Sequence, residues 1–149
     1  MDASTNNEII PAASFKQIDI GFVTPAASIK RFVQCIWVID NPEGSATTLN
    51  EKFYPDAGAS LTFYLDQTNC EAQLFYHTQV CAMPWELACR QISVRFRPGA
   101  LKYLFGLTFD DSKNQQIDIA LAMVKQRDSY QRLQAYLIGK TIRQQCLAI

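Results

Sequence analysis

Ile92-Ser93-Val94-Arg95-Phe96-Arg97-Pro98-Gly99-Ala100 is the stretch on which the fold turns. Ile92, Val94 and Phe96 alternate with Ser93, Arg95 and Arg97, the period-two spacing of a β-strand with one apolar face. Pro98 lacks a backbone donor and cannot continue a ladder, so the strand ends there. From Gly99 to Phe105 the apolar residues fall at near-helical spacing, and Gly106 suits a helix stop. Strand chemistry therefore gives way to helix chemistry across Pro98.

Upstream of this point the sequence predicts strands. Phe15–Val23 reads as a short strand weakened by Gly21, and Thr24–Ser28 as a turn opening a helical step toward Phe32. Phe32–Ile39 (FVQCIWVI) is apolar at nearly every position, the pattern of a strand buried on both faces. Asp40–Ser45 has loop composition. Leu49–Tyr54 and Ser60–Leu65 are further strands joined by Pro55-Asp56-Ala57-Gly58, where Gly58 is the residue suited to a positive φ. In the second of these, Leu61, Phe63 and Leu65 share one face and Thr62 and Tyr64 the other. Asp66–Asn69 is a polar turn. Glu71–Thr78 and Gln79–Met83 are predicted strands, with Pro84 interrupting the pairing.

Downstream of Pro98 the patterns are helical. Ile117, Leu121 and Val124 recur at i, i+4 and i+7, predicting a short helix, and Asp128 or Ser129 is placed to cap the next one. That helix carries Tyr130, Leu133, Leu137 and Ile138 on a broad apolar stripe. The order of strands first and helices last predicts an α+β fold, an antiparallel β-sandwich or barrel over 15–97 followed by helices over 99–143. Residues 1–14 read as a flexible leader and 15–149 as a single domain, a length that supports one core.

Composition narrows the function classes. Fourteen basic residues balance fourteen acidic ones, whereas a segment that grips a phosphate backbone carries a basic excess. Direct nucleic-acid contact by this chain is therefore not expected. The polar, acidic start lacks the pattern of a secretory signal, no apolar run is long enough for a membrane span, and the five cysteines show no C-x-x-C spacing. Reduced thiols in a cytoplasmic protein are the expectation.

Catalytic equipment is sparse. His77 is the sole histidine, so any serine or cysteine nucleophile needing an imidazole would depend on it. Gly58, Gly99 and Gly106 stand alone and cradle no phosphate. Asp110-Asp111 are adjacent loop carboxylates of the kind that face water. Cys70, His77, Cys81 and Cys89 lack the spacing of a zinc site. The sequence predicts no enzyme, no metal and no cofactor.

A binding module fits better. Trp37, Tyr54, Tyr64, His77, Arg95 and Arg97 are the candidate ligand-binding residues, since small-molecule pockets use aromatic walls with a few polar groups. The plain alternative is that the aromatics fill the core. Arg95 and Arg97 lie opposite Ile92, Val94 and Phe96. A barrel interior on that side would require an anion or carboxylate for them, while a solvent-facing side would make them ordinary surface charges.

Two segments carry a family resemblance. Tyr54-Pro55-Asp56-Ala57-Gly58-Ala59-Ser60-Leu61-Thr62-Phe63-Tyr64-Leu65 resembles a proline-aspartate-glycine turn followed by an apolar strand in the sensor domain of AraC/XylS-type transcription regulators. Ile92–Ala100 is similar to that domain's V-R-F-x-P-G segment, and Pro25–Trp37 to its opening proline, short helix and tryptophan-bearing strand. The resemblance covers roughly residues 20–140. It implies a cupin-like barrel that senses an effector or joins subunits of a bacterial regulator. The two helix-turn-helix units that read DNA in that family have no counterpart in these residues. It also implies that the terminal helix pairs with its copy, making Tyr130, Leu133, Leu137 and Ile138 a candidate homodimer interface. Packing of the same stripe on the chain's own sheet is the alternative. The expected function is effector sensing, dimerisation or both, with a small-molecule effector and a homodimer as partners. The rivals are a ligand-free structural dimerisation module and, more distantly, a small barrel enzyme.

Overall fold

Arg90–Phe96 forms the strand around which the main sheet is organised. The computed structural model describes residues 20–40, 48–53, 55, 57–108, 110, 113–119 and 127–149, with the side chains of 49–53, 83–86 and 116 outside the description. The elements in chain order are β1 (Ile20–Val23), β2 (Val33–Ile39), β3 (Thr48–Phe53), β4 (Ala59–Leu65), β5 (Cys70–Tyr76), β6 (Cys81–Glu86), β7 (Arg90–Phe96), α1 (Ala100–Phe105), β8 (Gln115–Asp118), α2 (Arg127–Leu137) and α3 (Ile142–Ala148). Six strands form one sheet in the order β1-β2-β7-β4-β5-β8, and β3 pairs with β6 in a second. Every neighbouring pair is antiparallel. The fold is α+β with a sheet-rich core, as the order of sequence patterns predicts.

Register fixes what each face of the main sheet carries. Ile36, Val94, Leu61 and Leu74 stand side by side across β2, β7, β4 and β5, and Val38, Ile92, Phe63 and Ala72 form the parallel row two residues along. These residues are buried and share one cluster with Ala100 and Leu104 of α1, Tyr130 and Leu137 of α2, and Ile142 and Cys146 of α3. The helices therefore cover this face. Each buried Val, Ile, Leu or Phe among them contributes about 1.5–3 kcal/mol through removal from water.

Several expectations need correction. Ile117 lies in β8 opposite Leu74, not in a helix; backbone pairing with β5 holds it there despite its helical phase with Leu121 and Val124, which lie outside the described residues. Pro84 does not interrupt β6, which pairs with β3 through Asn50↔Pro84 to Thr48↔Glu86. In a two-stranded sheet every strand is an edge, where a missing donor is tolerated. Helix α2 starts at Arg127, so Asp128 lies in its first turn instead of capping it. The positive φ before β4 belongs to Ala57 (60°), not to Gly58.

A third helix follows where the sequence reading ended its helices. Thr141 caps α3 by accepting from the Gln144 backbone N–H at 3.3 Å, and its own N–H donates to Gln144 Oε1 at 3.1 Å. This is the reciprocal capping box that satisfies the free donors of a helix start. The leader at 1–14, the residues 15–19 and Tyr54 fall outside the described residues.

The apolar stripe on α2 turns inward. Tyr130 is 5% exposed and Leu137 fully buried, while Leu133 and Ile138 pack partly buried against the same cluster. Tyr130 and Leu137 are committed to the chain's own core and offer no surface to a second copy.

Candidate functional site

The second face of the main sheet is polar where the first is apolar. One register row runs Trp37, Ser93, Thr62, Gln73 across β2, β7, β4 and β5, and the rows on either side are Cys35, Arg95, Ser60, Phe75 and Ile39, Gln91, Tyr64, Glu71. Ser93 and Gln91 are fully buried and Thr62 nearly so, so this face is covered at its centre. Toward β1 it opens, and Phe22, opposite Trp37, is 74% exposed.

Three of the expected ligand residues share this face. Trp37 and Tyr64 are half-buried and flank the Thr62–Ser93 pair, in which Thr62 Oγ1 donates to Ser93 Oγ at 3.0 Å. Burial, and secondarily the neighbouring Cys89, pushes the Tyr64 phenol up to about 12, so it stands protonated as a donor at neutral pH. Arg95 is half-buried on the same side and its Nη1 donates to Ser60 Oγ at 2.9 Å. Burial pulls its pKa below the ordinary guanidinium value. The guanidinium lies along Gly58, where an added Cβ would stand 3.2 Å from Arg95 Cζ and Nε and 2.6 Å from the Phe96 carbonyl oxygen. Glycine at 58 is thus what lets the arginine and the β7 backbone pass.

The other expected residues are elsewhere. Arg97 follows the end of β7 and is exposed; its N–H donates to the Phe32 carbonyl at 2.7 Å and its Nε to the Lys30 carbonyl at 3.0 Å. It closes the turn before β2 and leaves the polar face. His77 lies just beyond β5, beside Cys81 in the connection to β6. Thr62, Ser93, Gln91 and Ser60 were not among the expected residues. Alternation places Thr62 with Tyr64 and Ser93 with Arg95, but only the β4–β7 register sets the two hydroxyls against each other.

The face holds hydroxyl, amide, guanidinium and aromatic groups, a set suited to binding and orienting a small polar or anionic molecule. Among the described residues no cluster of three or more His, Cys, Asp or Glu is arranged to hold a metal ion. No helix among them is long and apolar enough to cross a membrane. Asp110 is exposed and pairs with Lys113 at 2.6 Å.

Comparison with curated proteins returns no match, and neither does comparison with solved structures. A family model does match, over residues 22–118, which run from within β1 to the end of β8 and take in every strand that builds the polar face. The chain belongs to the family described as a domain of unknown function, DUF6597.

Proposed function

We propose that this chain is an effector-sensing domain of a bacterial AraC-type transcription regulator, acting with a DNA-reading unit outside these residues. The observation that carries the reading is the polar face of the main sheet. A layer built for stability alone would be apolar there, because buried hydroxyl and amide groups contribute little even when paired. Buried Thr62, Ser93 and Gln91 frame the half-buried Trp37, Tyr64 and Arg95, and these three are the groups that a ligand would meet. Arg95 supplies the charge for a carboxylate, and Trp37 and Tyr64 the flat surfaces for a ring. The balanced net charge agrees with DNA being read by another segment.

The test is thermal denaturation with a panel of aromatic monocarboxylates, beginning with benzoate. A ligand at about a hundred times its Kd stabilises the native state by about 2.7 kcal/mol, a clear upward shift in Tm. Arg95→Met should remove that shift. A panel without any stabiliser at millimolar concentration, together with a concentration-dependent dimer mass in sedimentation, favours the ligand-free dimerisation module instead. That second reading has its own support in a shallow groove of about 360 Å³ between α2 and α3, lined by Leu133, Tyr136, Gln144, Leu147 and Ala148, with Leu147 79% exposed.

A further inference from the structure

The connection between β5 and β6 brings the only imidazole of the chain against a thiol. His77 follows β5 directly, Cys81 opens β6, and residues 78–80 between them are exposed. The chain bends there on its way from one sheet to the other, and Cys81 Sγ stands 3.2 Å from His77 Nδ1 and 3.9 Å from Nε2. Both residues are half-buried and so remain open to a small reagent.

Asn114 clasps this connection. The Asn114 backbone N–H donates to the Tyr76 carbonyl at 2.7 Å, its Oδ1 accepts from the Thr78 N–H at 2.8 Å, and its Nδ2 donates to Thr78 Oγ1 at 2.6 Å. The Phe75 ring lies tilted toward the His77 ring at 6.3 Å between centroids. The pair is thereby held in place before any reagent arrives.

Burial favours the neutral form of each partner, drawing the His77 pKa down from 6.5 and pushing the Cys81 thiol up from 9.0. At neutral pH a neutral imidazole therefore faces a protonated thiol, and in its Nε2–H tautomer Nδ1 accepts from Cys81 Sγ. A thiol reacts as its anion, and a base within hydrogen-bond reach of the sulfur is what activates such a nucleophile.

We propose that Cys81 is a covalent modification site for soft carbon electrophiles, with His77 as the base that activates it. The proton on Sγ moves to His77 Nδ1 as sulfur bonds the β-carbon of an activated alkene such as an α,β-unsaturated carbonyl. The alkene π pair moves to the α-carbon, which then takes the proton back from the imidazolium. One S–C bond forms, nothing leaves, and no oxidant is consumed. The other thiols have no histidine to serve them, since His77 is the only one. Cys70 is in addition buried, and burial pushes its thiol up to about 11. The site borders the polar face at Phe75, but its chemistry does not depend on the sensor reading.

The experiment is a quenched time course of the whole chain with N-ethylmaleimide at neutral pH, with peptide mass mapping of all five cysteines. Cys81 should react on the order of a hundredfold faster than Cys70, Cys89 and Cys146, the lower end of what a positioned base supplies. His77→Gln should slow Cys81 by a similar factor and leave the other thiols unchanged. A Cys81 rate no greater than those of Cys89 and Cys146 in the unaltered chain overturns the proposal. So does an unchanged Cys81 rate in a His77→Gln protein with native circular dichroism. Should that variant unfold, all five thiols accelerate together and the ranking in the unaltered chain decides.

Discussion

At the turn into β4, two small neighbours do different work. Ala57 holds a left-handed backbone with φ of 60°, a region that costs a residue with a Cβ about 1–2 kcal/mol. Gly58 needs no unusual φ but has no room for a Cβ, because the Phe96 carbonyl oxygen would lie 2.6 Å away. Ala57→Gly should therefore raise stability by about 0.5–1 kcal/mol, the relieved strain less the extra freedom glycine has in the unfolded chain. Gly58→Ala should lower it by about 1–3 kcal/mol, since a strand backbone and not a flexible side chain must give way. Urea midpoints of the two variants measure both signs, and a loss of stability in Ala57→Gly would remove the left-handed assignment. Sequence placed a turn here correctly, because Pro55 and Gly58 punctuate it. It misassigned the conformation because the demand on Gly58 comes from β7, which only the folded sheet brings near.

Among elements, α3 depends on a single side chain of β7 more than on its own propensity. Seven residues are too few for a helix to persist alone. Arg90 bonds Asp40 through both carboxylate oxygens, at 2.8 and 3.2 Å, and its Nη1 reaches Gln145 Oε1 at 3.2 Å and the Lys140 carbonyl at 3.4 Å. Gln145 is itself buried and donates to the Leu137 carbonyl at 2.8 Å. One guanidinium thus ties the end of β2, the α2–α3 turn and α3 together. The Arg90–Asp40 pair is about a third exposed, so the ion pair alone adds no more than about 1 kcal/mol. Arg90→Met should free α3 locally: amide exchange over 142–148 should accelerate on the order of tenfold while β4 and β7 amides change little. Equal acceleration in the sheet would show that Arg90 supports the whole core and not this helix. The helix was legible in part, for Thr141 and Gln144 spell a capping box and Ile142, Cys146 and Ile149 follow at helical spacing. Strands β2, β4 and β7 were legible because alternation and apolar runs are local properties. The polar face was only half legible, since Tyr64 and Arg95 show their side by alternation, whereas Trp37 sits in an apolar run without alternation and the Thr62–Ser93 pairing depends on register between strands far apart in the chain.

For the molecule as a whole, the main sheet keeps protonated groups on both of its faces, and alkali should act on both. The Tyr64 phenol on the polar face and the Tyr130 phenol in the helix-covered core are each raised from 10.0 to about 12, chiefly by burial. Cys70 on the core face is raised from 9.0 to about 11, again chiefly by burial. A group whose folded pKa exceeds its unfolded one holds its proton longer in the native state. Its contribution is complete below the unfolded value and is lost as pH rises to the folded one, because over that interval the unfolded chain binds fewer protons. The window is therefore from about pH 9 to about pH 12, opening with Cys70 and closing with the two tyrosines. Urea midpoints should be level near neutral pH and fall steadily above about pH 9. Tyr130→Phe keeps the buried ring without a titrating group, so its midpoint should fall less steeply above about pH 10 than that of the unaltered chain, and Tyr64→Phe should do the same from the other face. Parallel curves for Tyr130→Phe and the unaltered chain would mean that the phenol reaches water without unfolding, and that α2 does not seal this side of the sheet.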